Sequence, residues 1–180
     1  GQSVQRPFQG FSLIFTEKEE SFNYEDMKTM TFAEKILGAP AGAVVFARPD
    51  IILTHDNTAS IYKTFQKMGG VRVADPGQML IVLDHNAPPA DAKLANQYQE
   101  IRDIAASQGI KRFHDAGRGI CHQIMSYYAR PGMLIVGSDS HTSTAGAFNA
   151  FAAGIDRTES AGIWKKAETW FRVPESLKIT

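Results

Sequence analysis

A polar stretch that directly follows a short apolar run is the most chemically suggestive part of this sequence. Residues 133–136 have the composition of a buried strand, Gly137 frees the backbone to turn, and Asp139, Ser140 and His141 follow at once. In an open α/β sheet, ligands bind at the carboxyl ends of the strands, where loop amides and helix N-termini converge. The stretch therefore predicts a ligand site at one strand end.

Histidine recurs in the same kind of position elsewhere in the chain. Four of the five histidines lie just past an apolar run, and His55, His85 and His114 each have an aspartate beside them in the sequence. One such histidine is most simply a hydrogen-bonded residue that closes a strand. Several histidines placed alike favour acid–base chemistry instead, because a neighbouring carboxylate fixes the tautomer of an imidazole and raises its basicity.

The elements that must position these residues alternate between strand and helix patterns. Apolar runs predict strands at residues 43–46, 51–54, 79–83, 110–113, 133–136 and 169–173. Capping signals and helical spacing predict helices from Thr31 to about Gly38, from Asn57 or Thr58 to Gly69, over 90–107 and 122–128, and from near Ala145. This rhythm predicts βαβ units and a three-layer α/β domain with a mainly parallel sheet.

The composition excludes several classes of protein. Nineteen basic and nineteen acidic residues cancel, so the sequence predicts no nucleic-acid partner and no attraction to anionic membrane. No apolar run approaches the roughly 20 residues needed to span a bilayer. The single cysteine, Cys121, excludes an intrachain disulfide and favours a reducing, cytoplasmic setting. We expect Cys121 to be small and buried.

Several motifs together resemble a known family. They are Asp84-His85, Gly119-Ile-Cys-His-Gln123 and the segment from Pro131 through Gly-Ser-Asp-Ser-His to Thr142. In order and spacing they resemble the N-terminal part of the aconitase superfamily, above all the large subunits of 3-isopropylmalate dehydratase and homoaconitase. The resemblance covers residues 30–180 and implies an aconitase-like N-terminal domain there, whereas residues 1–29 match nothing in the family and are expected to form a poorly ordered extension or tag.

The resemblance implies a hydro-lyase that dehydrates and rehydrates a 2-hydroxy di- or tricarboxylic acid, as in leucine biosynthesis. Carried over by position, the catalytic residues are Asp84, His85, His122, Asp139 and His141, and the substrate contacts are His55 and Ser140. The Asp84–His85 pair would lie near the leaving hydroxyl. His122 and His141 would lie near an iron-bound water, on a loop that Asp139 orients. His114 and Asp115 match no catalytic position.

The resemblance also implies a cofactor and partners that this chain does not itself contain. The complete enzyme would hold a 4Fe–4S cluster, but three or four cysteine ligands cannot come from a chain with one cysteine, so no metal ligand is expected here. The cluster ligands, the substrate-binding arginines and a serine base would lie in the remaining large-subunit domains and in a small swivelling subunit. We therefore expect the chain alone to be inactive, as a fragment or as one polypeptide of a split enzyme.

Two alternative functions remain open. One is a non-catalytic module that docks the partner domains of a split enzyme. The other is a mononuclear metal hydrolase that uses the site histidines with Asp84 or Asp139, since histidine and carboxylate suit zinc or iron. The close histidine spacings typical of such hydrolases are missing from the sequence.

Overall fold

Strands and helices alternate along the described part of the chain, which comprises residues 29–177 and 179 of the computed structural model. Thr31–Thr180 form one compact unit. The expected extension at residues 1–29 lies outside the described residues, apart from Thr29. Among the residues that are described, no helix is both long and apolar enough to cross a membrane.

The main sheet has five parallel strands in the order β4-β3-β2-β5-β6. The strands are β2 (Ile51–Thr54), β3 (Met79–Val82), β4 (Arg112–His114), β5 (Leu134–Gly137) and β6 (Phe151–Gly154). Every residue of the three central strands is buried or nearly so, as expected for a parallel sheet that is covered on both faces. The predicted mainly parallel sheet is confirmed.

Helices cover both faces of this sheet, which confirms the three-layer α/β architecture. On one face lie α2 (Thr58–Lys67), α3 (Ala92–Gln108) and α5 (Arg157–Lys166), with Phe65, Tyr98 and Trp164 packed into one apolar core. The opposite core contains Cys121 and Ile124 of α4 (Cys121–Ser126) and Ala145 of the 3₁₀ helix Ser140–Phe148. Alternate residues of the central strands enter the two cores, since successive strand side chains point to opposite faces.

Local capping signals fix several helix ends. The predicted Thr31–Glu34 capping box is present at the start of α1 (Phe32–Leu37), and Gly109 ends α3 in the left-handed conformation. Asn57 occupies the N-cap position of α2, but its side chain makes no capping bond and instead donates to the Ser138 carbonyl at 3.1 Å. Asn57 thereby ties the end of β2 to the end of β5.

Three features differ from the sequence-based expectation. The helix predicted from near Ala145 is a 3₁₀ helix that begins five residues earlier, because the Asp139 carboxylate accepts from the His141 amide and fixes a tight turn there. Strand β6 was not predicted, since its sequence Phe-Ala-Ala-Gly carries little strand signal. Strand β7 (Thr169–Arg172) does not join the parallel sheet but pairs antiparallel with β1 (Val44–Ala47).

Candidate active site

Side chains that follow three neighbouring strands meet at the carboxyl edge of the sheet. His55 follows β2, Asp84 and His85 follow β3, and Asp139 and His141 follow β5, and these strands are adjacent in the order β3-β2-β5. His122 reaches the same cluster from α4. The structure therefore brings together all the residues that the sequence assigned to a site, through contacts that are described below.

The Asp139 carboxylate lies at the centre of this cluster. Its Oδ2 is 3.1 Å from His85 Nε2, and its Oδ1 is 3.1 Å from His122 Nε2 and 3.3 Å from His141 Nδ1. The same Oδ1 accepts a hydrogen bond of 2.7 Å from the His141 backbone amide. One nearly buried carboxylate thus contacts three imidazoles, of which only His141 is close to it in the sequence.

His85 lies between two carboxylates. Its Nδ1 is 2.7 Å from Asp84 Oδ1, and its Nε2 is 3.1 Å from Asp139 Oδ2. Since a carboxylate only accepts, both contacts are hydrogen bonds at once only when the ring is protonated on both nitrogens. Burial acts to lower the pKa of His85, but the hydrogen bonds and charges of Asp84 and Asp139 outweigh it and raise the pKa above its usual value.

The two carboxylates are themselves stabilised in the ionised form. Burial acts to raise the pKa of Asp84, but a 2.6 Å hydrogen bond from the Cys121 amide and the contact with His85 lower it overall. For Asp139 burial again opposes ionisation, and the His141 amide together with His122 and His85 lowers the pKa. These shifts all favour the arrangement in which a protonated imidazole lies between two ionised carboxylates.

His55 stacks on the face of His85. The ring centroids are 3.9 Å apart and the planes are inclined by 19°. Burial, with repulsion from the charge on His85 as the next cause, lowers the pKa of His55. Its Nδ1 is buried without a hydrogen-bond partner, so His55 is a neutral ring with one polar atom free to accept or donate.

The remaining predicted residues differ in their exposure to solvent. The His141 side chain is 78% exposed and that of His122 is 21% exposed. The Ser140 hydroxyl lies 3.4 Å from His141 Nδ1 on the exposed side of the cluster. A ligand can therefore reach Ser140 and His141 directly, whereas Asp84 and Asp139 are almost covered.

His114 and Asp115 make contacts of a different kind. His114 Nε2 lies 2.8 Å from the Tyr128 hydroxyl, and Asp115 accepts two hydrogen bonds of 2.8 and 2.9 Å from the Arg102 guanidinium. Burial, with Arg118 as the second cause, lowers the pKa of His114. Through these bonds neither residue contacts the cluster around Asp139.

Sequence reasoning missed two groups that support the cluster. The Cys121 backbone amide donates to Asp84, while its side chain is fully buried and its thiol pKa is raised by burial and by Asp84. Asp56, buried beside His55, contacts the loop that carries His85. Its place shortly after β2, matching that of Asp84 after β3, is the sequence signal that could have identified it.

Metal-binding donors are present in the described residues, but a thiolate set is not. Three groups have donor atoms within 4.8 Å of one another, namely His55–Asp56–His85, Asp84–His85–Cys121 and His122–Asp139–His141. Cysteine-ligated iron–sulfur clusters need several thiolates, and the one cysteine of the chain is buried and held as the thiol. The residues of this chain therefore do not fit the role of iron–sulfur cluster ligands.

Comparison with known proteins gives a consistent family assignment. The model of the aconitase family (aconitate hydratase) matches residues 28–180. The 3-isopropylmalate dehydratase large subunit 1 of Methanopyrus kandleri is 39% identical over 158 residues, which is 83% of this chain and 38% of that protein. The corresponding protein of Pyrococcus furiosus is 42% identical over 164 residues, which is 85% of this chain and 39% of that protein.

A relative whose name gives a different specificity is equally similar. The probable methanogen homoaconitase large subunit of Methanothermobacter thermautotrophicus is 40% identical over 167 residues, which is 85% of this chain and 39% of that protein. The chain thus spans under two fifths of the length of these curated relatives. Similarity at this level does not separate the two substrate classes in the relatives' names.

Proposed function

Because the chain belongs to the aconitase family, we propose that it forms part of a hydro-lyase that dehydrates and rehydrates a 2-hydroxy di- or tricarboxylic acid of the 3-isopropylmalate type. The relatives are named dehydratase and homoaconitase large subunits, which supports a hydro-lyase of this family. The reaction class of this chain, its small hydroxy-acid substrate and its cytoplasmic location are parts of the proposal.

One observation carries the proposal, namely that His85 lies within hydrogen-bonding distance of both Asp84 and Asp139. Dehydration of a hydroxy acid requires a proton for the leaving hydroxyl, because hydroxide is a poor leaving group. The two carboxylates raise the pKa of His85 and so favour its protonated form, which can donate that proton. Rehydration needs the same ring to accept the proton back.

The other cluster residues have roles that follow from their contacts. Asp84 and Asp139 orient His85 and stabilise its charge. His122 and the exposed His141 would hold the water that leaves and returns, with Ser140 and the His55 ring as contacts for the carboxylates or hydroxyl of the substrate. All of these groups lie at the strand ends, where α/β enzymes bind ligands.

The family generally binds a 4Fe–4S cluster, which supplies a Lewis-acidic iron when bound. With a single cysteine, this chain does not offer the several thiolates that such a cluster needs. We propose that the ligands lie in the remaining part of the large subunit and that a small subunit completes the enzyme, in keeping with the naming of the relatives as large subunits. The chain alone would then be inactive.

The test is activity of an enzyme completed with the missing part of a relative's large subunit and its small subunit. His85→Ala should lower turnover most, by about 10²- to 10⁴-fold, which is the usual loss of a positioned general acid. Asp84→Asn should resemble it, and His141→Ala and His122→Ala should follow.

His114→Ala is the matched control. It removes an imidazole bonded to Tyr128 outside the cluster, so turnover should be nearly unchanged. Assays with isopropylmalate, homocitrate, citrate and dimethylmalate would define the substrate. Unchanged turnover in His85→Ala, together with loss in His114→Ala, would reject the assignment of the site.

A docking role is the second candidate, and an exposed apolar face favours it. Phe46 and Trp170 are opposite one another in the β1–β7 pair, so they share a face with Val44. These side chains are 53–67% exposed, while Phe171 on the other face is buried. Since the relatives are more than twice as long as the matched segment, we propose that the remaining part of the large subunit covers this face.

Co-expression with the unmatched part of the Methanopyrus kandleri large subunit tests this docking role. Phe46→Ser and Trp170→Ser should reduce co-purification of the two pieces. Tyr127→Ser is the control, because Tyr127 is 74% exposed and lies outside the β1–β7 pair. Equal co-purification of all three variants, or self-association through this face, would contradict the proposed occupant.

A further inference from the structure

Asp56 is a nearly buried carboxylate that lies behind the site. It is 5% exposed and lies two residues after β2, next to His55. The donors that reach its side chain come from two other elements: the Asp84 amide at 3.2 Å, the Asn86 side-chain amide at 2.8 Å and the Tyr98 hydroxyl at 2.8 Å. Its backbone carbonyl also accepts from Gln97 at 2.7 Å.

These contacts fix one loop on both sides of His85. Asp84 and Asn86 are the residues immediately before and after His85, and Asp56 binds both of them through different carboxylate oxygens. Tyr98, which is 1% exposed on α3, holds the second oxygen in place. The Asp56 side chain therefore links the loop that carries His85 to Tyr98 of α3 and to the end of β2.

We propose that Asp56 is a positioning residue that sets the distance between His85 and its two carboxylates, Asp84 and Asp139, by binding the Asp84 backbone amide and the Asn86 side chain on either side of His85. The inference rests on the proposed function only in giving His85 a catalytic role. It requires no ligand, because every contact is within this chain.

The chemistry of the donors explains why a carboxylate is needed. An amide, a second amide and a hydroxyl all donate, so the side chain at position 56 must accept three times. An asparagine offers one acceptor oxygen and presents its own donors to the other partners. Asp56→Asn is close to isosteric, yet it places a donor against Asn86 or Tyr98 and should release the loop.

The experiment is a histidine NMR titration of the 180-residue chain, followed by turnover in the completed enzyme. In Asp56→Asn, we expect the pKa of His85 to fall toward the free imidazole value of about 6.5, because Asp84 and Asp139 are no longer held beside it. Turnover should fall about 100-fold, as for a small misplacement of a catalytic group, with little change in KM.

Asn86→Ala separates positioning from charge. It keeps the Asp56 charge but removes one of the two loop contacts, so it should lower the pKa of His85 in the same direction. Tyr98→Phe should do so more weakly, since it removes the contact that orients the carboxylate. Asp115→Asn is the control, because it removes a carboxylate bonded to Arg102 outside the cluster and should leave His85 unchanged.

The outcomes distinguish this inference from the proposed function. A fall in the pKa of His85 in both Asp56→Asn and Asn86→Ala supports positioning, even if the completed enzyme turns over none of the acids. An unchanged pKa in both variants, or a fall in Asp56→Asn alone, overturns it. If Asp56→Asn does not fold, Asn86→Ala and Tyr98→Phe decide the question in the same way.

Discussion

At the scale of single residues, the site depends on where charge is placed. Three imidazoles approach the Asp139 carboxylate within 3.3 Å, and His85 is the one that also meets a second carboxylate. Burial and the charge on His85 lower the pKa of His55, which favours its neutral form. The proposed proton donor, His85, therefore stacks on His55 at a centroid distance of 3.9 Å.

Stability should depend on pH through His85. Its pKa is raised in the folded chain, so protonation of His85 stabilises the fold. This stabilisation is fully present below about pH 6.5, the pKa in the unfolded chain, and it is lost as the pH rises through the pKa in the folded chain. The difference in free energy of unfolding between the wild type and His85→Gln should therefore be largest near about pH 6 and shrink toward alkaline pH. Urea unfolding at a series of pH values measures this difference.

His55 should affect the pH dependence of stability in the opposite direction and so provides a control. Its pKa is lowered, so its effect is a loss of stability as pH falls below about 6.5. His55→Gln should relieve that loss and flatten the acidic side of the profile. A difference between the wild type and His85→Gln that instead grows with pH would mean that His85 is neutral in the folded chain.

The sequence indicated which residues lie at the strand ends, but not which of them contact one another. Polar residues after apolar runs were correctly expected at strand ends, because parallel strands share a carboxyl edge. Which of them touch depends on the strand order β3-β2-β5, which the chain order does not reveal. Asp56 was missed for that reason, since its partners Asn86 and Tyr98 lie 30 and 42 residues away.

At the scale of elements, two glycines let the strands approach the site backbone. A Cβ at Gly137 would lie 2.3 Å from Thr142 Oγ1, and one at Gly154 would lie 2.9 Å from the Asp139 carbonyl oxygen. Neither is among the glycines with positive φ, so lack of space for a side chain, and not an unusual backbone conformation, is what requires glycine at these positions. Both glycines are needed for close packing of β5 and β6 against the 3₁₀ helix.

Gly154→Ala should therefore disturb the site from a distance. The added methyl would press on the backbone of Asp139 and Ser140, at a cost of about 1–3 kcal/mol in the free energy of unfolding, as for other overpacked positions. The NMR signals of His85 and His141 should shift with it. Chemical denaturation and the histidine spectra measure the two effects separately.

Gly162→Ala is the matched substitution. A Cβ at Gly162 meets nothing within 4 Å, and the residue lies inside α5, where alanine is favoured over glycine by up to about 1 kcal/mol. This variant should be as stable as the wild type or more stable, with unchanged histidine signals. Comparable destabilisation by both substitutions would show that close approach is not what requires glycine at position 154.

The fold followed from the sequence wherever a strand or helix had a strong local signal. Met79–Val82 and Leu134–Gly137 are wholly apolar apart from the final glycine, and both lie within or next to their predicted ranges. β6 consists mainly of small residues with little strand propensity, and it forms a strand because it pairs with β5. The pairing of β7 with β1 was equally hidden, since it joins segments at opposite ends of the domain.

At the scale of the whole molecule, two observations support the proposal that the chain is one part of a larger enzyme. It matches under two fifths of each named relative, and it exposes Phe46 and Trp170 on one sheet face. Both observations are explained if the described domain packs against further protein. The site would then be completed at its exposed side, where Ser140 and His141 lie.

The isolated chain should not assemble an iron–sulfur cluster. Anaerobic reconstitution of the isolated chain with iron and sulfide should give no iron–sulfur absorbance, because Cys121 is the only cysteine and is fully buried, and because burial and Asp84 raise its thiol pKa. Cys121→Ser should behave identically, since the thiol is no ligand. The Methanopyrus kandleri large subunit, treated in parallel, is the positive control.

A stoichiometric cluster in the monomeric chain would contradict the prediction. A cluster that appears only in an oligomer and is lost in Cys121→Ser would also contradict it, because one thiolate from each of several chains would then hold the iron.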